Sequence, residues 1–233
     1  TAEGVLLARD LGNEPSNILT PEAFAEEAKS IAKKLGLKAT VYDEKKIQQE
    51  KMNLLWAVGK GSVNPPRFIV LEYKPAKAKK SLALVGKGMT FDSGGISLKP
   101  GARMEDMKHD MCGAAAVLGA MSTIAKLKLP VHVWCIIAAA DNMPDANATQ
   151  PGNIIASRAG KTVEINNTDA EGRLILADAL DYAQDLKPDY IINAATLTGA
   201  ISVALGKMCA GLMSNDDDLA LTICEASAFS GER

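Results

Sequence analysis

Histidine is nearly missing from this chain. Only His109 and His132 occur, and neither belongs to an H-E-x-x-H pair, so an imidazole-rich zinc site is excluded. The four cysteines, Cys112, Cys135, Cys209 and Cys224, nowhere approach C-x-x-C spacing, which removes zinc knuckles and dithiol redox motifs. Each reads as a reduced, buried structural thiol of a cytoplasmic protein. No apolar run nears the ~20 residues that span a bilayer. The amino-terminal stretch TAEGVLLARDLGNEPSN lacks the basic-then-apolar pattern of a secretory signal. A formal net charge of -2 provides no electrostatic footprint for nucleic acid or an anionic membrane. A metal, if one is bound, must find oxygen ligands or an unusual donor.

What is present is an ordinary globular composition, 47% hydrophobic and 23% charged over 233 residues, enough to bury a sizeable core. Residues 1–12 read as the end of a helix stopped by GNEPSN. Thr20 and Pro21 are favoured at a helix start, and Phe24, Ala28, Ile31, Ala32 and Leu35 form one stripe before Gly36. KATVYD and RFIVLEY read as strands, with Asp43 capping a charged helix to about Lys51, and KPAKAKK reads as a solvated turn. SLALVG, VHVWCIIAAA, YIINAAT and CAGLMS are short continuous apolar runs, suited to strands covered on both faces. Helical stretches lie between them at about residues 104–127 and 173–185. This alternation predicts an α/β fold, a mixed and largely parallel sheet flanked by helices on both faces, in one domain.

Charge gathers in three places. INNTDAEGRLILADAL sets Asp169, Glu171 and Arg173 at the opening of an apolar helix, separated only by Ala170 and Gly172. LVGKGMTFDSGGISLKPG places Lys87 just past an apolar strand, Asp92 before a Ser-Gly-Gly turn, and Lys99 beyond it. MEDMKHDMCGAAAVLGAM carries Asp110 into a run of small residues that permits close helix approach. VGKGMT is not a phosphate loop, because Lys87 precedes Gly88 and Phe91 stands where a dinucleotide motif needs Gly. If Asp92, Asp110, Asp169 and Glu171 converge, their four charges need compensation. Lys87, Lys99 and Arg173 can supply it as an ion-pair cluster, or two divalent cations can, leaving the basic groups free for a substrate. Both readings stand on these residues.

NTDAEGRL at 167–174, VGKGMTFDSGGISLKP at 85–100 and MKHDMCGAAAV at 107–117 closely resemble the leucine aminopeptidase family, the M17 cytosol aminopeptidases. NEPSN, NMPDANATQPGNII and AATLTGA are similar as well. The resemblance implies a zinc-exopeptidase-like fold and a hydrolase that releases amino-terminal, leucine-like residues from peptides by a hydroxide bridging two metals. It implies that Lys87, Asp92, Asp110 and Glu171 hold one divalent ion and Asp92, Asp169 and Glu171 the other, with Mn²⁺ or Zn²⁺ bound. Lys99 and Arg173 are the implied catalytic pair, Arg173 holding a bicarbonate. Met107, Thr196 and Leu197 match positions that bind substrate; for Met107 a plain core role fits the sequence equally well. Asn142 and Met143 are expected on a loop near the entrance, and His109 on a helix surface. His132 is expected as a satisfied core or edge histidine. The resemblance further implies a cytoplasmic homohexamer. Residues 1–233 are then a catalytic domain truncated at both ends, residues 1–12 being the end of an interdomain helix. The alternative is a truncated, non-catalytic binding or scaffold relative.

Overall fold

Alternation along the strands decides which helices cover which side of the sheet. The computed structural model describes residues 1–233, which fall into two units, Thr1–Thr196 and Leu197–Arg233. The first unit runs α1 (Ala2–Asn13), α2 (Pro21–Leu35), β1 (Lys38–Tyr42), α3 (Glu44–Gln49), α4 (Asn53–Gly59), β2 (Arg67–Tyr73) and β3 (Lys80–Asp92). It continues through a 3₁₀ segment (Met104–Met111), α5 (Cys112–Lys126), β4 (Val131–Asn142), β5 (Asn153–Ala156), β6 (Thr162–Ile165), α6 (Glu171–Asp185) and β7 (Tyr190–Ala194). The main sheet has the order β1-β2-β4-β3-β7. Its β1, β2 and β4 pair antiparallel, and β4, β3 and β7 pair parallel. β5 and β6 form a separate hairpin.

On β4, Val133, Cys135, Ile137 and Ala139 enter one core, with Phe24 and Ala28 of α2 and Leu118 and Met121 of α5. Ile136, Ala138 and Ala140 enter the other, with Leu54 and Leu55 of α4 and Ile175 and Ala179 of α6. Helices on both faces explain why this strand is a continuous apolar run instead of an alternating one. The mixed α/β fold is therefore the one expected.

Local chemistry behaves as read. The Thr20 hydroxyl accepts from Ala23 N at 3.2 Å, Pro21 opens α2, and Gly36 closes it in the left-handed region. Asp43 accepts from Lys46 N at 2.8 Å and caps α3. The small residues of α5 do permit close approach. A Cβ on Gly113 would lie 2.2 Å from the Ala194 carbonyl oxygen, so the segment carrying Asp110 seats directly on β7.

β3 does not end at Gly86 but runs to Asp92, because β4 continues beside it to Asn142; Lys87 is inside the strand. The stretch at 104–127 is two pieces, the 3₁₀ turn and then α5. α4 and the β5-β6 hairpin carry no clear sequence signal, their segments being short and weakly patterned. Only Cys135 among the cysteines is buried; Cys112 and Cys209 are half-buried, Cys224 is exposed, and all four are free.

The second unit holds α7 (Ala200–Leu205) and α8 (Asp217–Ser230), the latter capped by Asp216, whose carboxylate accepts from Leu219 N at 2.9 Å. CAGLMS, expected as a strand, lies between these helices without regular structure; its apolar pattern has no strand partner here.

Candidate metal centre

The centre is assembled at the carboxyl end of the parallel strands, where such sheets place their sites. Lys87 points from β3 toward the start of α6 and is 2% exposed. Its ammonium lies 2.8 Å from Asp110 Oδ2 and 2.9 Å from Glu171 Oε1, and it donates to the Thr196 carbonyl at 2.8 Å. Three acceptors thus face its three protons. Burial pulls its pKa down, but Asp110 and Glu171 outweigh burial and leave it raised. Gly172 is required for this path: a Cβ there would stand 2.7 Å from Lys87 Cε.

Asp92, at the end of β3, is 2% exposed. Its Oδ1 accepts from Gly94 N and from Asn142 Nδ2, each at 2.9 Å, and its Oδ2 pairs with Lys99 at 2.9 Å. Lys99 pairs with Asp169 as well. Burial opposes its charge, yet the bonds to Asp169 and Asp92 hold its pKa well above the usual lysine range. The turn that returns Lys99 to Asp92 needs Gly94 at φ +90°. It is fastened to the loop before α6: Thr168 Oγ1 donates to Gly94 O at 2.7 Å and accepts from Ser97 N at 2.8 Å.

Asp92, Asp169 and Glu171 each direct an oxygen into one small volume, all within 4.8 Å of one another. Glu171 is 2% exposed, and its Oε2 is buried with no partner. Burial pushes Glu171 up to about 7 despite Lys87, with Asp92 and Asp110 adding to the rise. Asp110 is also raised by burial, although Lys87 opposes it and Thr196 Oγ1 donates to its Oδ1 at 2.6 Å. The two lysines touch all four carboxylates but match only two of their charges. An unpartnered buried carboxylate oxygen is costly in the absence of a cation. Hard oxygen donors and surplus negative charge fit a divalent ion.

The model of the cytosol aminopeptidase family, catalytic domain, matches residues 6–233. The chain belongs to the cytosol aminopeptidase family. A probable cytosol aminopeptidase of Aquifex aeolicus (strain VF5) is 55% identical over 233 residues, covering 100% of this chain and 47% of that protein. One from Azoarcus sp. (strain BH72) is 52% identical with the same coverage. The chain thus spans about half the length of the curated relatives it matches. Among solved structures, the bottromycin maturation enzyme BotP in complex with Mn superposes with a TM-score of 0.95. It is 44% identical, and the match covers 99% of this chain and 51% of that one.

Of the residues expected to serve a cytosol aminopeptidase site, Lys87, Asp92, Lys99, Asp110, Asp169, Glu171 and Thr196 come together as described. Arg173 is exposed on the first turn of α6. Met107 is half-buried in the 3₁₀ segment. Leu197 is exposed and falls in the second unit. His109 is half-buried on the 3₁₀ segment, and its Nδ1 lies 2.7 Å from Gly12 O, tying that segment to α1. His132 is satisfied by Glu72 at 2.9 Å and packs on Trp134. Asn142 lies not on a loop but at the end of β4, 4% exposed. Its bond to Asp92 and the fastening role of Thr168 were missed; a polar residue directly after a buried run was the available signal.

Proposed function

We propose that the protein containing this chain is a two-metal aminopeptidase that removes amino-terminal, leucine-like residues from peptides. The observation that carries this reading is the convergence of Asp92, Asp169 and Glu171 around the buried, unpartnered Glu171 Oε2. Lys87, Asp92, Asp110 and Glu171 would hold one ion; Asp92, Asp169 and Glu171 the other. Mn²⁺ or Zn²⁺ suits these donors, and the relative BotP is described in complex with Mn. When bound, such ions lower the pKa of a water and polarise the scissile carbonyl.

The chain's own residues do the rest. Lys87 must give up a proton to serve as a ligand, a loss that adjacent dications favour. Lys99 keeps its proton against Asp92 and Asp169, so it is the group to face an oxyanion. Asp110 accepts a hydrogen bond from the substrate's free terminal amine, which restricts cleavage to the first residue. Arg173, exposed beside Glu171, holds a bicarbonate as a base. Met107, Thr196 and Leu197 contact the first side chain or the substrate backbone. The homohexamer and cytoplasmic location belong to the same proposal.

A competing reading is a plain ion-pair cluster with no metal, favoured by the three acceptors around Lys87. The two separate on the full-length protein. The aminopeptidase reading expects hydrolysis of a leucine anilide, lost on chelation and restored by Mn²⁺ or Zn²⁺. Absence of bound metal, with a melting temperature indifferent to chelator, would leave the cluster reading standing.

A further inference from the structure

Three segments meet at Asn142. Its side-chain amide donates to Asp92 Oδ1 at 2.9 Å and to the Thr168 carbonyl at 3.0 Å. Both partners only accept, so the nitrogen faces them. Its backbone carbonyl accepts from Ser93 N at 3.0 Å and Ser93 Oγ at 2.7 Å. One residue at the end of β4 therefore grips the end of β3, the turn that follows it, and the loop leading to Asp169 and Glu171. It does so from a buried position and hydrogen-bonds to neither Asp169 nor Glu171. Asn142 supplies the one side-chain donor to Asp92 Oδ1, beside Gly94 N, and with Oδ1 committed to these two, Oδ2 is turned toward Lys99.

We infer that Asn142 is a positioning residue for the cation site, fixing both the roll of the Asp92 carboxylate and its distance from the 168–171 loop. The inference rests on the metal reading above. Outer partners of metal-binding carboxylates typically alter affinity by about 10–100-fold when lost, whereas a residue that only supports the fold changes stability and leaves affinity alone.

The test measures Mn²⁺ affinity by calorimetry on the metal-stripped, full-length protein, well below the melting temperature. Asn142→Ala is expected to weaken binding about tenfold or more. Asp178→Asn, a buried carboxylate far along α6 that bonds only backbone N–H groups, is expected to lower the melting temperature and leave the Mn²⁺ Kd within about threefold. Asn142→Ser keeps one donor that cannot reach both acceptors, and is expected between wild type and Asn142→Ala. Wild-type Kd in Asn142→Ala overturns the inference. If that variant does not fold, wild-type Kd in Asn142→Ser overturns it equally. If the wild-type protein takes up neither Mn²⁺ nor Zn²⁺, the metal reading itself fails and the inference goes with it.

Discussion

Asp178 and Glu171 sit two turns apart on the same helix, both buried carboxylates, and they are treated differently by their surroundings. Asp178, fully buried, receives Leu54 N at 2.9 Å and Leu55 N at 3.1 Å on one oxygen and Arg158 N at 2.9 Å on the other. It caps the start of α4 and secures the chain entering at Arg158, and every acceptor is used. Glu171 has one oxygen on Lys87 and the other on nothing. Burial raises the pKa of both. The difference teaches how to tell a structural buried acid from a functional one: the first is complete without a ligand, the second is not.

Glu171→Ala is the sharpest way to break that comparison. Mn²⁺ at about a hundred times its Kd should stabilise the wild-type protein by about 2.7 kcal/mol. This variant should lose that gain, and anilide hydrolysis should fall by about 10² or more, since two ions share the residue in the proposed site. Calorimetric melts with and without Mn²⁺ check it; a retained Mn²⁺-dependent rise would place the ion elsewhere. Asp178→Ala should do the reverse. It strands the N–H groups of Leu54 and Leu55 in the core, at a cost of about 3 kcal/mol, while Mn²⁺ still raises the melting temperature. Urea unfolding of the two variants side by side would expose any mixing of the roles.

Gly172→Ala comes next. Its Cβ would displace the Lys87 chain, so overpacking should cost about 1–3 kcal/mol and Mn²⁺ affinity should weaken. Gly172→Ala with unchanged stability would mean that Lys87 has another path.

The residue types of this site were legible because they cluster in sequence: Asp169, Glu171 and Gly172 are neighbours, and Lys87, Asp92 and Lys99 share one segment. Strands covered on both faces announced themselves as apolar runs, and α2 and α3 by their caps. The partners were not legible. That Lys87 meets Asp110 and Thr196, or Asn142 meets Asp92, depends on the register of β3 against β4 and on the seating of Gly113 beneath β7. Such long-range geometry leaves no periodic trace. CAGLMS failed for the opposite reason, a local apolar pattern with no strand beside it to pair with.

A pH dependence is the last test, and its sign separates Glu171 from an ordinary surface acid. Its carboxyl is raised from the usual 4.5 to about 7 by burial. A raised acid favours the protonated folded state, so its contribution to stability is greatest at low pH and declines as pH climbs from about 4.5 to about 7. In chelator-treated protein this one group therefore opposes the usual gain of stability with pH. A cation needs Glu171 ionised and Lys87 neutral, so Mn²⁺ uptake near pH 6 should release a proton from Glu171 in addition to the one Lys87 gives up, and should tighten as pH rises to 8. Calorimetry in two buffers of different ionisation enthalpy counts those protons. Glu171→Gln should release fewer protons and remove this decline, so that the stability of the metal-free protein rises more with pH across the same range, whereas Asp178→Asn should leave the Mn²⁺-linked proton count unchanged.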